Sequence, residues 1–360
     1  MRWQLTLVAI VGCAFQLPPP GNGGGDDGGG GGLAGFTARR SITVANAQLT
    51  EALVDFPVLV TLTSDNFDYA GATVDGADLR FATADLAGLL PYDIDDFTPN
   101  GTSSIWVRVP MIAPPPAPPT QLWLYYGNPA ARSSASPRDV WSDHVSVHHM
   151  GTSLDASNHG HGAQQTDVAK TPLDTAGVVG RAYAFDGSDD ALVVGNSSAY
   201  AFTTTMTVSL WMRAPSFTTS FQCMVCKGDT AWRVHRGNGT QHADFGTTSL
   251  SLAIDNLDSG ANVSGGAWHH IVTTLDGTLK KIYVDGDLDG MRSYALTLNS
   301  NAFPVAIGEN QEASGRNWNG DLDEIRIASV ARSASWIGME YRVVATPADA
   351  VAVGAREAAP

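Results

Sequence analysis

Apolar and polar residues alternate with a period of two through much of this chain. In Ser104-Ile105-Trp106-Val107-Arg108-Val109-Pro110 and in Gln121-Leu122-Trp123-Leu124-Tyr125-Tyr126, successive side chains point to opposite faces, as a strand requires. Met206, Val208, Leu210 and Met212 share one parity, while Thr207, Ser209, Trp211 and Arg213 share the other, the pattern of a half-buried strand. From Arg39 onward, short runs of this kind recur at spacings near about ten residues, separated by Gly, Pro, Asn and Asp. Helical periodicity is nearly absent. The expected fold class is therefore all-β, with two antiparallel β-sandwich domains in tandem. The proline-rich stretch 114–119 predicts a loop between two strands of the first domain. The Ser/Ala-rich stretch 130–138 separates a first domain, 39–132, from a second, 139–345. A short helix is expected over 333–341, with Trp336 and Tyr341 docked on the second sandwich, followed by a flexible tail, 346–360.

The amino terminus has a different pattern. Arg2 precedes the apolar run Leu5-Thr6-Leu7-Val8-Ala9-Ile10-Val11, far short of the roughly 20 residues that span a bilayer. Charged start and apolar middle are those of a secretory signal. Ile10-Val11-Gly12-Cys13 resembles a bacterial lipobox, whose cysteine is acylated and becomes the first residue. More than one acyl chain on Cys13 satisfies the two-signal rule for stable anchoring. Ala14 stands where an inner-membrane retention signal places Asp, which favours the outer membrane or cell surface. Residues 14–38 are Pro- and Gly-rich, with no side chains to bury, and read as a disordered tether. A coil of about 25 residues reaches roughly 25–30 Å on average.

Composition narrows the function classes. The chain has 360 residues, 43% of them hydrophobic, and a net charge of −15. Nucleic acids and anionic membrane surfaces demand clustered Lys and Arg, so neither is an expected partner, and membrane association is expected through the lipid anchor only. Acidic side chains also supply oxygen ligands for divalent cations. Beside Cys13 stand only Cys223 and Cys226, a lone C-x-x-C without a second pair to complete a zinc site. If Phe221-Gln222-Cys223-Met224-Val225-Cys226 is a regular strand, the two α-carbons lie about 10 Å apart and point to opposite faces, which forbids a disulfide. If the segment turns, the bridge becomes possible. Structural cysteines are favoured over redox chemistry.

Six motifs in order make 39–132 resemble a bacterial domain family of unknown function, DUF2341. They are Arg40-Ser41-Ile42-Thr43-Val44, Phe56-Pro57-Val58-Leu59-Val60, Asp78-Leu79-Arg80-Phe81, Leu90-Pro91-Tyr92-Asp93-Ile94, Trp106-Val107-Arg108-Val109-Pro110 and Leu124-Tyr125-Tyr126-Gly127-Asn128. Asp78, Arg80 and Arg108 are its notable polar residues; a bidentate pair between Arg80 or Arg108 and a carboxylate across the sheet is the structural expectation.

The second block resembles a laminin-G-like, concanavalin A-like jelly roll. The resemblance rests on Val179-Gly180-Arg181-Ala182-Tyr183-Ala184-Phe185-Asp186-Gly187, Thr207-Val208-Ser209-Leu210-Trp211, Trp268-His269-His270-Ile271-Val272, Ile282-Tyr283-Val284-Asp285-Gly286, Ile307-Gly308-Glu309-Asn310 and Gly320-Asp321-Leu322-Asp323-Glu324-Ile325-Arg326-Ile327. It implies a two-sheet sandwich, commonly with bound calcium, used for recognising glycans or proteins.

Asp323 shares strand parity with Ile325 and Ile327, so on a regular strand it faces the core and needs a partner. The turn Asp186-Gly187-Ser188-Asp189-Asp190 could bring further oxygens. One structural Ca²⁺ held by Asp186, Asp190 and Asp323 is one expectation, plain hydrogen bonding of Asp323 the other. Asp285-Gly286-Asp287-Leu288-Asp289-Gly290 opens like an EF-hand, yet position 12 is Leu296 and the flanks read as strands, so a hairpin turn is favoured. Five of the nine histidines fall between 144 and 161: His144, His148, His149, His159 and His161. A transition-metal site there is conceivable, but Asp155-Ala156-Ser157-Asn158 resembles a loop of the jelly-roll family, and loop composition is the favoured cause. Aromatic candidates for a glycan platform are Trp232, His235 and Tyr200, with Trp318 expected to pack under the last strand.

Jelly-roll glucanases carry E-x-D-x-x-E; here Asp321-Leu322-Asp323-Glu324-Ile325-Arg326 has Asp first and Arg last, and the paired acids are missing. The expected function is non-catalytic: a cell-envelope or surface lipoprotein whose jelly roll binds carbohydrate or an extracellular protein. The competing reading is a structural module of the envelope, and a glycan-active enzyme ranks last.

Overall fold

The computed structural model describes residues 32–360, except 152–153, 158 and 166–169. The lipobox, Cys13 and residues 14–31 of the tether lie outside the described residues; of the rest, Phe36 and Ala38 are buried and Ala38 already opens the first strand, so the expected tether boundary at 38 is a little late. Gly35–Pro360 form one compact unit. Two sandwiches, built almost entirely of antiparallel strands, share it.

The first sandwich packs a five-stranded sheet on a three-stranded one. The five run in the order Val351–Ala358, Ala38–Val44, Thr120–Tyr126, Arg80–Thr83, Leu89–Leu90. The three are Leu53–Leu62, Ser103–Ile112 and Tyr92–Asp96. Alternation does what the sequence predicts. Ile105, Val107 and Val109 turn to the core with Val58 and Val60, while Trp106 lies beside Leu59 and Asp93 on the sheet's other face.

The second sandwich begins at Ser146–His148, which pairs with Asn319–Ala328. Its sheets hold eight and seven strands among the described residues. Met206, Val208, Leu210 and Met212, on Thr205–Arg213, face Trp232, Val234 and Phe245 of the opposite sheet in one core. The other parity of that strand, with Ser209 and Trp211, points away from this core. That outward face is buried too. The helix Ala334–Ala345, capped by the Ser333 side chain accepting from the Trp336 N–H at 3.2 Å, lies on it. Tyr341 stacks on Trp211 with ring centroids 5.6 Å apart, and Ile337 packs on Val272 and Tyr283. Trp336, expected on the same sandwich, instead meets Phe56 of the first, 4.7 Å away. One helix thus touches both sandwiches.

Two corrections follow. Residues 346–360, expected to be a flexible tail, form a short helix Pro347–Ala350 and the strand Val351–Ala358. This strand pairs with Ala38–Val44 along its length, from Val44 opposite Val351 to Ala38 opposite Ala358. Its Ala-rich sequence hides it because an edge strand is held by backbone hydrogen bonds rather than by buried side chains. Second, the disulfide left open for Cys223 and Cys226 is present, with α-carbons 6.1 Å apart, on a strand rather than on the turn it was expected to need. A register shift between Cys223 and Val225 makes Met224 the extra residue of a bulge, so both sulfurs reach the same face.

The outward face carries buried polar groups as well. His270 lies 5.1 Å from the Trp211 ring, with Nε2 4.0 Å from Glu340. Burial pushes its imidazole down to about 4, against the pull of Glu340 and Asp285 and with Arg326 acting in the same direction as burial.

Two predictions follow from this architecture. A chain ending at residue 345 loses the edge ladder. With each net hydrogen bond worth about 1 kcal/mol and each kcal/mol worth roughly 2–4 °C, its melting temperature falls by about 5 °C or more in calorimetry. An unchanged value would mean the strand contributes nothing. His270 stays neutral when folded, but takes a proton below about pH 6.5 when unfolded. Its contribution is intact above that pH and is lost as pH falls toward 4. Relative to the wild type, His270→Gln therefore gains about 2 kcal/mol between pH 7.5 and pH 5 in urea unfolding. A pH-independent difference would contradict neutral burial.

Candidate functional site

The sandwiches meet where the second face of the three-stranded sheet opposes the outward face of Asn319–Ala328. Two bulges shape this seam. On Tyr92–Asp96, Asp93 opposes Trp106 and Ile94 opposes Ile105, but Asp96 opposes Ser104, leaving Asp95 as the extra residue. On Asn319–Ala328, Arg326 opposes Ser209 and Asp323 opposes Trp211, so Glu324 and Ile325 share the single position opposite Leu210. Glu324 takes a left-handed φ of 47°. The bulge keeps Leu322, Ile325 and Ile327 in the jelly-roll core and turns Asp323, Glu324 and Arg326 outward.

His149 fills the gap between the bulged strands. Nδ1 is 2.7 Å from Glu324 Oε1, and Nε2 is 3.1 Å from Asp93 Oδ2, which also accepts from Trp141 Nε1 at 2.8 Å. The imidazole lies nearly parallel to Trp106, 6.2 Å away. Asp95, His149 and Glu324 each offer one ligand atom within 4.8 Å of the others. Asp95 Oδ2 is buried and accepts no hydrogen bond. Asp323 is satisfied differently. Its Oδ2 accepts from Val178 N at 2.8 Å and Val179 N at 3.1 Å, and its Oδ1 from Glu324 N at 2.8 Å. Glycines make that loop possible: a Cβ on residue 177 would sit 2.4 Å from Asp323 Oδ2, and one on residue 180, at φ 50°, 3.0 Å from Asp95 Oδ2.

A cavity of about 650 Å³ opens from this cluster to solvent, with Asp95, Asp96, Arg138, His149, Leu154 and Arg181 in its walls. Burial drives the Asp95 carboxyl up to about 7; His149 opposes the shift, and Glu324, Asp93 and Asp96 add to it. Burial and the charge of Glu324 hold Asp323 well above the usual carboxylate range. Burial alone would lower His149, but Glu324 and Asp95, with hydrogen bonds to Asp93 and Glu324, raise it well above the ordinary value. Burial would raise Glu324, yet His149 and Arg326 bring it down. The arrangement is thus an imidazolium clamped between two carboxylates, with a third carboxyl, Asp95, facing the cavity.

Residues 186–338 match the family model Laminin_G_3, the concanavalin A-like lectin/glucanases superfamily. Residues 75–155 match DUF2341, a domain of unknown function. The chain carries a DUF2341 domain followed by a concanavalin A-like domain. The DUF2341 match runs past the boundary read at 130–138 and includes Asp93, Asp95, Arg138 and His149, so most of the cavity wall belongs to it. No curated protein matches the chain in sequence. Among solved structures, the binding domain of Paraclostridial Mosquitocidal Protein 1 is similar at TM-score 0.48 and 15% identity, over 57% of this chain and 53% of that one. Domain 4 of AbnA, a GH43 extracellular arabinanase from Geobacillus stearothermophilus, in complex with arabinotriose, gives 0.44 and 17%, over 54% and 97%. The botulinum neurotoxin serotype D ligand binding domain in complex with N-acetylneuraminic acid gives 0.44 and 13%, over 57% and 52%. This chain spans about half the length of the first and third.

Within the concanavalin A-like domain, the expected calcium ligands do not converge. Asp186 opposes Asn319 on the ladder, about 13 Å along the strand from Asp323. Asp186 and Asp190 instead group with Asp189 at an exposed turn, where Asp190 Oδ2 accepts from Asp186 N at 2.9 Å. The parity argument for Asp323 failed because it assumed a regular strand. The glycan platform is corrected as well. Trp232, His235 and Tyr200 are all buried. Trp232 Nε1 donates to Tyr200 O at 3.1 Å, and burial pushes the His235 imidazole down to about 3. None can offer a ring to a ligand. Trp318 is buried as expected. Asp285 and Gly286 both take positive φ in the hairpin turn between Leu279–Val284 and Asp287–Ser293, the arrangement favoured over an EF-hand.

In the DUF2341 domain, Arg80 donates to the carbonyls of Ala77, Leu79 and Arg132 rather than to a carboxylate. Arg108 pairs with Asp55 at 3.2 Å. Asp78 accepts from Gly127 N, Asn128 N and Thr73. Arg80 and Asp78 serve loops, whereas the partner of Arg108 lies on the neighbouring strand Leu53–Leu62, an ion pair across the sheet as expected, with one contact in place of a bidentate pair. Of the five clustered histidines only His149 joins a metal-type group among the described residues. The sequence reading missed Asp95 and Glu324. The available signal was Asp93-Ile94-Asp95-Asp96, a run of acids where strands disfavour aspartate.

Proposed function

We propose that this chain is a non-catalytic carbohydrate-binding lipoprotein of the cell envelope, taking its ligand in the seam cavity. One observation carries the reading: a cavity of about 650 Å³ with an unpartnered, buried carboxylate oxygen, Asp95 Oδ2, at its floor. That size lies within the range of small-ligand sites. Sugar hydroxyls are donors that a free carboxylate oxygen accepts well, while Arg138 in the cavity wall can donate to ring and hydroxyl oxygens; Arg181, also in the wall, is already paired with Asp174. Leu154, 71% exposed at the wall, offers an apolar edge. The superfamily of the second domain, named for lectins and glucanases, agrees with this ligand class. Catalysis finds little support. Asp95 and Glu324 have the opposed proton affinities of an acid/base pair, but Glu324 is 2% exposed, with both oxygens taken by His149 and Arg326. A substrate in the cavity does not reach it.

A second reading, assembly with an envelope protein, is favoured by one surface feature: Leu250, Leu252 and Ile254 stand exposed together at the edge of the seven-stranded sheet.

A glycan array probed with the full chain carrying Cys13→Ser tests the first reading. Hits confirmed by calorimetry at about pH 8.5, where the Asp95 carboxyl is ionised, should weaken about tenfold or more in Asp95→Asn, the effect of losing a hydrogen bond to a charged group. A silent array, or hits indifferent to Asp95→Asn, would reject the cavity as a carbohydrate site. For the anchor, Cys13→Ser should move the protein from membrane to soluble fractions. Full retention in the membrane would reject lipidation at Cys13.

A further inference from the structure

We propose that Asp95, His149 and Glu324 form a site for one zinc-class divalent cation, open to the seam cavity. One imidazole nitrogen and two carboxylates already lie within 4.8 Å of one another. Ligands bonded to a common zinc at 2.0–2.2 Å sit roughly 3–4 Å apart, so small side-chain adjustments suffice.

The second support is on the far side of the ring. His149 Nε2 is hydrogen-bonded to Asp93 Oδ2, which Trp141 Nε1 holds in place. A carboxylate on one ring nitrogen is the outer partner that orients a metal-ligating histidine and leaves its other nitrogen to the ion. Here the other nitrogen, Nδ1, shares a proton with Glu324 Oε1. The cation takes the place of that proton, which leaves to solvent together with any proton on Asp95, so at least one proton is released for each ion bound.

Third, Asp95 Oδ2 is buried without a hydrogen bond. A carboxylate oxygen kept from water and from donors calls for a counter-charge. Fourth, Asp95 and Glu324 are both delivered by bulges, Glu324 with a left-handed backbone that a side chain adopts only when its surroundings enforce it. Mixed nitrogen and oxygen donors suit zinc or manganese, whereas calcium takes oxygens only. Three protein ligands leave positions open toward the cavity, for water or for a ligand's hydroxyls. The site does not depend on the carbohydrate reading, because it is measured without any glycan.

The test is calorimetric titration of EDTA-dialysed full chain carrying Cys13→Ser with Zn²⁺, alongside melting curves. One equivalent should bind, releasing a proton seen as a buffer-dependent heat, and zinc should raise the melting temperature. Asp95→Asn and Glu324→Gln should each weaken binding about tenfold or more, while Asp186→Asn leaves it unchanged. Asp95 is a cavity-wall residue, so its variant reports even if Glu324→Gln misfolds. Absence of saturable binding below millimolar zinc would overturn the proposal. So would unchanged affinity in Asp95→Asn, which would move the ion to surface groups such as His159 and His161. Glycan binding with and without EDTA separates the two ideas, since either can fail alone.

Discussion

Arg326 reaches from Asn319–Ala328 into the space between the sandwiches, where it donates to Glu324 Oε2 at 2.6 Å and Glu340 Oε1 at 3.0 Å. Its guanidinium lies 4.2 Å from the centre of the Trp106 ring and 4.8 Å from that of Trp141. All three charged side chains are nearly inaccessible to water. A buried pair broken by removing one partner leaves an uncompensated charge, a loss of about 3–5 kcal/mol. With two buried carboxylates bonded to one guanidinium, and Glu324 held by His149 as well, the neighbouring elements have little freedom. Glu340 ties the helix Ala334–Ala345 to this point, with Ser209 Oγ donating to the same oxygen at 2.7 Å. Glu324 hands the constraint on to His149, and His149 to Asp93 and Trp141. The line of contacts runs from the last helix through the jelly roll into the first sandwich.

That continuity explains why two sandwiches with separate sheets behave as one unit. Trp106, Trp141, Val147, Trp211 and Trp336 belong to a single apolar cluster that crosses the seam. Aromatic faces sheathe the charges on both sides, which excludes water and strengthens each ion pair. The strand Val351–Ala358 then returns the chain to the sheet where it began. Few of these contacts are local in sequence; Arg326 meets Trp106 across more than half the chain. Folding of the second sandwich and completion of the first are therefore linked, and neither is a bead on a string.

Much of this architecture was legible. Period-two alternation identified Ser103–Ile112, Thr120–Tyr126 and Thr205–Arg213, because each buries one face against an apolar neighbour. The motifs of the two families were legible for the same reason: they mark core positions. What the sequence hid were departures from regularity. A bulge shifts parity by one residue, and nothing in the local pattern of Asp323-Glu324-Ile325 or Cys223-Met224-Val225 announces it. Hence regular alternation places Asp323 on the core side beside Ile325, and leaves the pairing of the two cysteines open. The edge strand at the carboxyl end was hidden because its partner lies more than 300 residues away and its side chains carry little of the energy. The seam site escaped because its members come from four separate segments, and each alone looks like an ordinary strand or loop residue.

Burial of the aromatic rings also bears on the proposed ligand site. Trp232, Tyr200, Trp318 and Trp106 are consumed by the two cores and the seam, and among the described residues the cavity wall holds no Phe, Tyr or Trp ring to stack on a ligand. In the proposed reading, affinity comes from polar groups held in place beforehand. Asp95 meets that condition: its strand is pinned to Ser103–Ile112, its bulge aims the carboxylate, and no internal donor competes for Oδ2. A wall built this way needs little reordering on binding, which preserves affinity that a flexible loop would lose. Because the walls come from both sandwiches and the seam between them is cemented by Arg326, the cavity depends on that buried charge cluster even though Arg326 never touches its contents.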